Sequence, residues 1–196
     1  MNMWPAVRVN IKRTTVAAAL GLSAGAAAFA QPTLPQTTNF EATPVSGSTV
    51  TTVTVDNFIY TLDTSDLEVF NGVGSSGSRA LLTFGFGTVM TITADDNSAF
   101  GIDSFFYGPC PAYYHIASGT GTMSGGGTFT KSSGFPARGS TGLTGNCNEG
   151  EGATVTLSEP LFEDVTQIQI VVNYDDGGFS GDFMLGAFDD FVYSAA

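Results

Sequence analysis

Two adjacent aspartates, Asp189 and Asp190, lie in the last apolar run of the chain. From Ala187 to Tyr193, apolar residues occupy both odd-numbered and even-numbered positions. Whichever face of a strand is buried here, one of the two carboxylates would therefore lie near the core. A buried charge without a partner is costly. Ca²⁺ accepts carboxylate and carbonyl oxygens in flexible geometry. We therefore predict a structural calcium site formed by Glu41, Asp189 and Asp190; the alternative is that these acids are solvated at strand ends or bonded to backbone amides.

Aromatic residues lie on both sides of the segment Gly108-Pro109-Cys110-Pro111. Successive residues of a strand point to opposite faces, so some of these rings must face away from the core. A tyrosine ring can stack on a sugar while its hydroxyl hydrogen-bonds to it. We therefore predict ligand contacts from Tyr107, Tyr113 and Tyr114. The alternative is that the cluster covers a disulfide and fills one end of the core.

Asp175 and Asp176 form an acidic turn with the two glycines that follow them. Their oxygens could bind a cation, and we include both residues in the predicted ligand-binding set. The spacing does not match an EF-hand loop. Asp and Gly also favour turns for backbone reasons alone, so a solvated loop is the alternative.

Few residues in this chain could perform catalysis. His115 is the only histidine, which excludes a histidine metal cluster. After residue 30 the chain contains neither a Gly-x-Ser-x-Gly elbow nor a phosphate-binding loop. Hydrolysis of a glycosidic bond needs only two carboxylates about 5 to 10 Å apart, and the chain has 18 acids. The sequence favours a protein without enzymatic activity, with a small glycoside hydrolase as the alternative.

The elements that must position these residues are predicted to be strands. Runs rich in Val, Ile, Thr, Phe and Tyr alternate with clusters of Gly, Ser, Asn and Asp, as is typical of all-β proteins. The alternating apolar residues are at odd-numbered positions in residues 52–55 and at even-numbered positions in residues 58–62. A strand cannot change its buried face in this way without an irregularity, so Asp56-Asn57 should form a bulge or tight turn. We expect a two-sheet antiparallel β-sandwich, jelly-roll-like, with little or no helix. The later predicted strands cover residues 80–86, 89–93, 100–107, 113–116, 154–157, 168–174 and 183–193.

Residues 1–30 have the features of a secretory signal peptide. Cations precede an apolar run of small residues from Val16 to Ala28, and Ala28-Phe29-Ala30 predicts cleavage after Ala30. The run is too short to span a bilayer, which needs about 20 apolar residues. We therefore predict a secreted protein, extracellular or periplasmic, without membrane insertion.

Loss of the signal peptide also changes the charge and the aromatic content. The formal net charge of the full chain is −12, and the signal contains half of its six cations and its only tryptophan. The strongly acidic remainder repels phosphate backbones and anionic lipid head groups, which disfavours binding to nucleic acid and to membrane surfaces. Cations or neutral ligands are favoured; the alternative is that the acidity only keeps an exported protein soluble.

One domain is predicted over residues 39–196, since no repeat or linker divides the chain. Residues 31–38 contain two prolines and are predicted to form a loose N-terminal arm. The Gly- and Ser-rich residues 118–145 are predicted to form a long loop or ribbon. Export to an oxidising compartment predicts a disulfide between Cys110 and Cys147 at its base.

Four short motifs resemble exported bacterial jelly-roll domains of the carbohydrate-binding-module type. They are NFE from residue 39, SAFGIDSFFYG from 98, LFEDVTQIQIVV from 161 and GAFDDFVY from 186. The resemblance implies the sandwich topology, sugar binding, and a calcium ion held by acids at the two chain ends, which match Glu41 and Asp190 with Asp189 as a further ligand. The chain departs from that pattern by lacking a mature tryptophan and by its Gly-rich middle.

These features predict a secreted, non-catalytic module that binds an extracellular glycan or surface polymer and is stabilised by calcium and one disulfide. A second hypothesis is a structural or adhesive protein of the envelope or matrix that self-associates through exposed strands and the Gly-rich segment. Fold resemblance alone does not choose between them, because function depends on the site rather than the fold.

Overall fold

The structure is a computed structural model, and it describes residues 33–44, 50–63, 67–72, 74–75, 79–84, 88–109, 114–132, 135, 152–157, 162–174 and 184–196. Twelve β-strands and no α-helix are present in these ranges. The all-β class predicted from the sequence is confirmed. The strands are β1 Gln36–Thr38, β2 Thr52–Val55, β3 Phe58–Leu62, β4 Leu67–Asn71, β5 Arg79–Phe84, β6 Thr88–Ala94, β7 Phe100–Pro109, β8 Tyr114–Met123, β9 Thr128–Lys131, β10 Ala153–Thr156, β11 Val165–Tyr174 and β12 Met184–Ala195.

The strands form two antiparallel sheets. Sheet one has the order β2-β3-β6-β11-β8-β9. Sheet two has the order β10-β7-β12-β5-β4, and β1 also pairs with β12. The register pair Val165–Phe100 joins the sheets at one point, and a bridge between Val50 and Leu67 joins them at another.

The order of strands from β5 to β12 is that of a jelly roll. The chain alternates between the sheets except at the β8–β9 pair, which gives the orders β5-β12-β7-β10 and β6-β11-β8-β9. Two interleaved four-stranded sheets of this kind are the jelly-roll arrangement. The first four strands extend the two sheets at their margins. The predicted jelly-roll-like sandwich is therefore confirmed.

Aromatic side chains form much of the core where β3 faces β12. Phe58 stacks on Tyr193 with ring centroids 3.7 Å apart, and Tyr60 packs on Phe191 at 5.2 Å. The hydroxyls of Tyr60 and Tyr193 are hydrogen-bonded at 3.0 Å. Burial raises the pKa of both tyrosines well above the ordinary value of 10.0. The pair is therefore neutral at physiological pH.

At Asp190, the residues of β12 that face the core change from even-numbered to odd-numbered positions. This change explains why apolar residues occur at both kinds of position in the closing run. Asp190 has a φ of 46°, in the left-handed region that residues other than glycine rarely adopt. The register with β7 shifts between Asp189 and Val192. A bulge of this kind adds a residue to one strand and redirects its side chains. Phe188 and Phe191 both enter the core as a result, although three positions separate them.

The predicted change of parity after residue 55 is confirmed as a tight turn. Asp56 and Asn57 connect β2 to β3 with φ values of 50° and 65°. Two consecutive residues with positive φ are characteristic of a type I′ hairpin turn, which favours Asn, Asp and Gly. Local turn chemistry therefore sets the register of this hairpin.

The N-terminal segment is held more firmly than predicted. Gln36–Thr38 forms β1 and pairs with β12 at Phe191, Val192 and Tyr193. Phe40 is fully buried, and its ring lies 5.4 Å from that of Tyr60. The end of the segment expected to be a loose arm is thus a strand next to the last strand of the domain.

Residues 118–131 of the Gly-rich segment, which was predicted to be a long loop or ribbon, belong to the hairpin of β8 and β9. Gly119 and Gly121 lie on the buried face of β8. A Cβ at Gly121 would collide with the ring of Phe129, and one at Gly119 would lie 3.2 Å from that of Phe135. Neighbouring rings therefore fill the space that apolar side chains of β8 would otherwise occupy. Residues 136–145 of the predicted loop lie outside the described residues.

Candidate functional site

A row of uncharged polar side chains crosses all six strands of sheet one on its outer face. Each step of the row is a registered pair of residues on neighbouring strands. The inward neighbours Tyr60 and Ile92 are buried, which leaves the row on the solvent side. The row runs in the order Thr52, Thr61, Thr91, Gln169, Thr120, Thr130.

A second row lies two residues further along the strands. Thr54 pairs with Ile59 and Ile59 with Thr93 on one side, while Thr122 pairs with Gln167 and Thr128 on the other. Gln167 and Thr93 are each one residue beyond the registered pair Ile168–Ile92, so they are adjacent across β11 and β6. We call the two rows together the threonine face; it consists of nine threonines, Gln167, Gln169 and Ile59.

The threonine face carries no charge in a protein with 18 acids. All twelve of its side chains are half-buried or exposed. Aspartates lie at its margins: Asp63 follows β3 and accepts a hydrogen bond from the Val89 amide at 3.0 Å, while Asp56, Asp95 and Asp164 lie beyond the second row. The face itself offers hydroxyls, amides and methyl groups, and the nearby carboxylates are confined to its borders.

Two cross-strand pairs of hydroxyls lie within hydrogen-bonding distance on the threonine face. The Thr120 and Thr130 hydroxyls lie 2.9 Å apart, and those of Thr52 and Thr61 lie 3.4 Å apart. Threonine is β-branched, so its χ1 angle has few options. A ligand that binds here meets hydroxyls whose rotamers are already restricted, which lowers the entropy cost of binding.

The predicted calcium ligand Glu41 lies next to the core but bonds to Arg79. Its Oε1 accepts a hydrogen bond from the Arg79 backbone amide at 2.7 Å. The Arg79 guanidinium in turn donates to the carbonyls of Glu41 and Thr43 at 2.7 and 2.6 Å, and to the Asn71 side chain at 2.9 Å. Arg79 thereby ties the segment after β1 to the β4–β5 pair.

Asp189 and Asp190, the other two predicted calcium ligands, both contact Ser75. The Ser75 amide donates to Asp189 Oδ2 at 3.2 Å, and its hydroxyl donates to Asp190 Oδ2. Asp189 is fully buried, which confirms the expectation that one carboxylate of the closing run lies inside the protein. We call Glu41, Ser75, Arg79, Asp189 and Asp190 the chain-end network.

The metal prediction stays a prediction. Within the residues that the structure describes, no three His, Cys, Asp or Glu side chains are grouped so that they could hold a metal ion. β1 nevertheless pairs with β12 at Phe191, and the Phe40 and Phe191 rings lie 6.3 Å apart. The segments that contain the three acids are therefore neighbours, and the acids have protein donors as partners.

The predicted sugar-stacking residues are not assembled on one described surface. Tyr107 is 2% exposed and packs on Phe188 with ring centroids 5.0 Å apart, as in the alternative that this cluster fills the core. Tyr114 begins β8 opposite Tyr174. Tyr113, Asp175 and Asp176, together with the predicted disulfide partners Cys110 and Cys147, lie outside the described residues.

Sequence reasoning did not find the threonine face, although a signal for it was present. Thr-x-Thr occurs at residues 52–54, 91–93, 120–122 and 128–130. Alternating threonines are common on the solvent side of strands, so no one of these motifs is specific. The row becomes apparent only when the strand order is known.

Comparisons with known proteins do not assign the chain to a family. No protein-family model matches it, and neither a curated protein nor a solved structure shows significant similarity. In the described part of the chain, no helix is long and apolar enough to cross a membrane. The case for function therefore depends on the geometry of the fold.

Proposed function

We propose that this protein is an exported, non-catalytic binding module that holds an uncharged extracellular glycan or surface polymer on its threonine face. The observation that supports the proposal is the unbroken row from Thr52 to Thr130 across six strands. Export is supported by the sequence of residues 1–30. The proposal needs no catalytic group.

The chemistry of the face fits a hydroxyl-rich, neutral ligand. Threonine hydroxyls and glutamine amides both donate and accept hydrogen bonds, as sugar hydroxyls do. The methyl groups of threonine and Ile59 can cover the apolar CH groups of a sugar ring. A polyanion would instead be repelled by the acids of the surrounding protein, because the net charge is −12.

The proposal is tested by binding to a panel of polysaccharides, with soluble ones in affinity gels and insoluble ones in pull-down assays. Gln169→Arg places a bulky charge in the centre of the face and should abolish retention. The matched control is Thr156→Arg on β10, where Thr156 is exposed next to the buried Val155. Retention of neutral polymers by wild type and Thr156→Arg, with loss in Gln169→Arg, is expected. Equal retention of all three proteins would contradict the assignment to this face.

The structure adds little to the alternative of self-association. Phe70 on β4 is 40% exposed, and among the described residues it is the only large hydrophobic side chain that is exposed. A lone apolar residue at a surface is ordinary and does not form a docking patch. Assembly therefore stays a prediction from the sequence, and light scattering at increasing protein concentration tests it.

A further inference from the structure

We infer that the threonine face recognises an ordered array of uncharged polymer chains, such as a crystalline polysaccharide surface, rather than a single dissolved chain. The inference rests on the proposed function and specifies its class of ligand. It depends on the periodicity of the face, on its rigidity and on the weakness of each contact it offers.

The first argument is the regular spacing of the two rows. Neighbouring strands are about 4.7 to 4.9 Å apart, and residues on one face of a strand repeat every ~6.7 Å. Six residues at this spacing form a row roughly 24 Å long. The second row repeats the pattern beside it, so the face is a two-dimensional grid of hydroxyl, amide and methyl groups. A periodic grid is matched best by a ligand that is itself periodic in two directions.

The second argument concerns the entropy of the two partners. The backbone of the face is hydrogen-bonded across all six strands, and the hydroxyl pairs Thr52–Thr61 and Thr120–Thr130 restrict four of its side chains. A dissolved chain would lose conformational freedom when it lies along the rows, and ordering costs oppose binding. A chain packed in a crystal has already lost that freedom. The same contacts therefore give tighter binding to the ordered form.

The third argument concerns the strength of each contact. A hydrogen bond exchanged with water contributes little net free energy, and none of the twelve residues of the face is aromatic. Affinity must come from many contacts made at once, and their number grows only where adjacent chains lie at fixed spacing. A ligand surface without charge can also lie flat on the threonine face without being repelled by the 18 acids of the protein.

Adsorption isotherms on three forms of the same polymer test the inference: microcrystalline cellulose or crystalline chitin, the swollen amorphous form, and soluble oligosaccharides. We expect at least about tenfold tighter binding to the crystalline form than to the other two. Gln169→Arg and the edge variant Thr130→Arg should both lose this preference. Thr130 is exposed, so its variant is not expected to disturb folding. Thr156→Arg should retain the preference.

The other outcomes separate this inference from the proposed function. Equal affinity for crystalline and soluble forms, abolished by Gln169→Arg, would overturn the inference and leave the proposed function intact. Failure to bind any polysaccharide would overturn both. Shaping of growing ice crystals by wild type but not by Gln169→Arg, without polymer binding, would also overturn both and would identify ordered water as the ligand. Polymer binding that no variant of the face affects would place the site elsewhere and contradict both.

Discussion

In the chain-end network polar groups bond mainly to one another, whereas on the threonine face they point to solvent in a regular order. Ser75 donates hydrogen bonds to Asp189 and Asp190, and the Arg79 backbone amide donates one to Glu41. On the threonine face, cross-strand hydroxyl pairs leave donors and acceptors available to a ligand. The network ties the segment after β1 to β5 and ties Ser75 to β12, whereas the threonine face is directed to solvent.

This difference shows that residues conspicuous in a sequence can have ordinary hydrogen-bond partners in the fold. Asp189 and Asp190 are conspicuous in the sequence because a carboxylate in an apolar run needs an explanation, and the structure provides one in Ser75. Threonines in strands need no explanation one at a time. We therefore expect the chain-end network and the adjoining core to stabilise the fold, and we propose that the threonine face binds the ligand.

The largest expected effect is on stability, from a change in the core beside the network. Phe40→Ala should lower the free energy of unfolding by about 3 to 5 kcal/mol, because Phe40 is fully buried against Tyr60 and Phe191. Phe70→Ala is the matched control, since Phe70 is 40% exposed; it should change stability by no more than about 0.5 kcal/mol. Urea unfolding measures both. Similar losses in the two variants would show that β1 and Phe40 do not anchor the fold.

The next effect is the loss of stability at alkaline pH. Burial raises the pKa of Tyr60 and Tyr193 above the 10.0 of an unfolded tyrosine. Below pH 10 both states keep these protons, so the pair adds no pH dependence. Above it the unfolded state loses protons first, and stability should fall by up to about 1.4 kcal/mol per pH unit for each tyrosine until the pKa of the folded state is passed.

Tyr193→Phe tests the origin of this alkaline loss. The variant removes one of the two titrating groups, so its stability should fall less steeply above pH 10 than that of wild type. Urea unfolding between pH 6 and 11.5 measures the slopes. Polymer binding by the folded protein should not change between pH 6 and 9, because the face contains no titratable group. Identical slopes for the two proteins above pH 10 would exclude the tyrosine pair as the cause.

The smallest expected effect concerns calcium in the chain-end network. If the three acids hold an ion, calcium at ten times its dissociation constant should stabilise the fold by ~1.4 kcal/mol, and EDTA should lower the melting temperature. Asp190→Ala should remove this response, while Asp63→Ala at the margin of the threonine face should keep it. Identical melting curves in calcium and EDTA would show that Ser75 and Arg79 suffice as partners of the acids.

How far the sequence predicts the structure differs between local and long-range features. The turn at Asp56-Asn57 was predictable because Asp and Asn tolerate positive φ within a short segment. The β8–β9 hairpin was not, because part of the apolar cover for Gly119 and Gly121 comes from Phe162 and Val165, far along the chain near the start of β11.

The candidate site was less predictable than the fold for a similar reason. Thr61, Thr91 and Gln169 become neighbours only through the pairing of β3, β6 and β11, and β11 follows β6 by more than 70 residues. The sequence predicted a strand over residues 168–174, but no local pattern specifies which strands pair. In contrast, the apolar neighbours of Asp189 and Asp190 alone predicted that one of the two carboxylates lies inside the protein, and Asp189 is fully buried.

The most direct test of the threonine face is protection of a cysteine introduced there. Thr130→Cys on β9 and Thr156→Cys on β10 are both exposed positions, on opposite sheets. Each variant is labelled with a maleimide, free and adsorbed to the crystalline polymer, and the labelling rate at that site is measured by peptide mass spectrometry. The account predicts that adsorption slows labelling at residue 130 and leaves residue 156 unchanged. Unchanged labelling at residue 130 in the adsorbed protein, or protection at residue 156 alone, would contradict it.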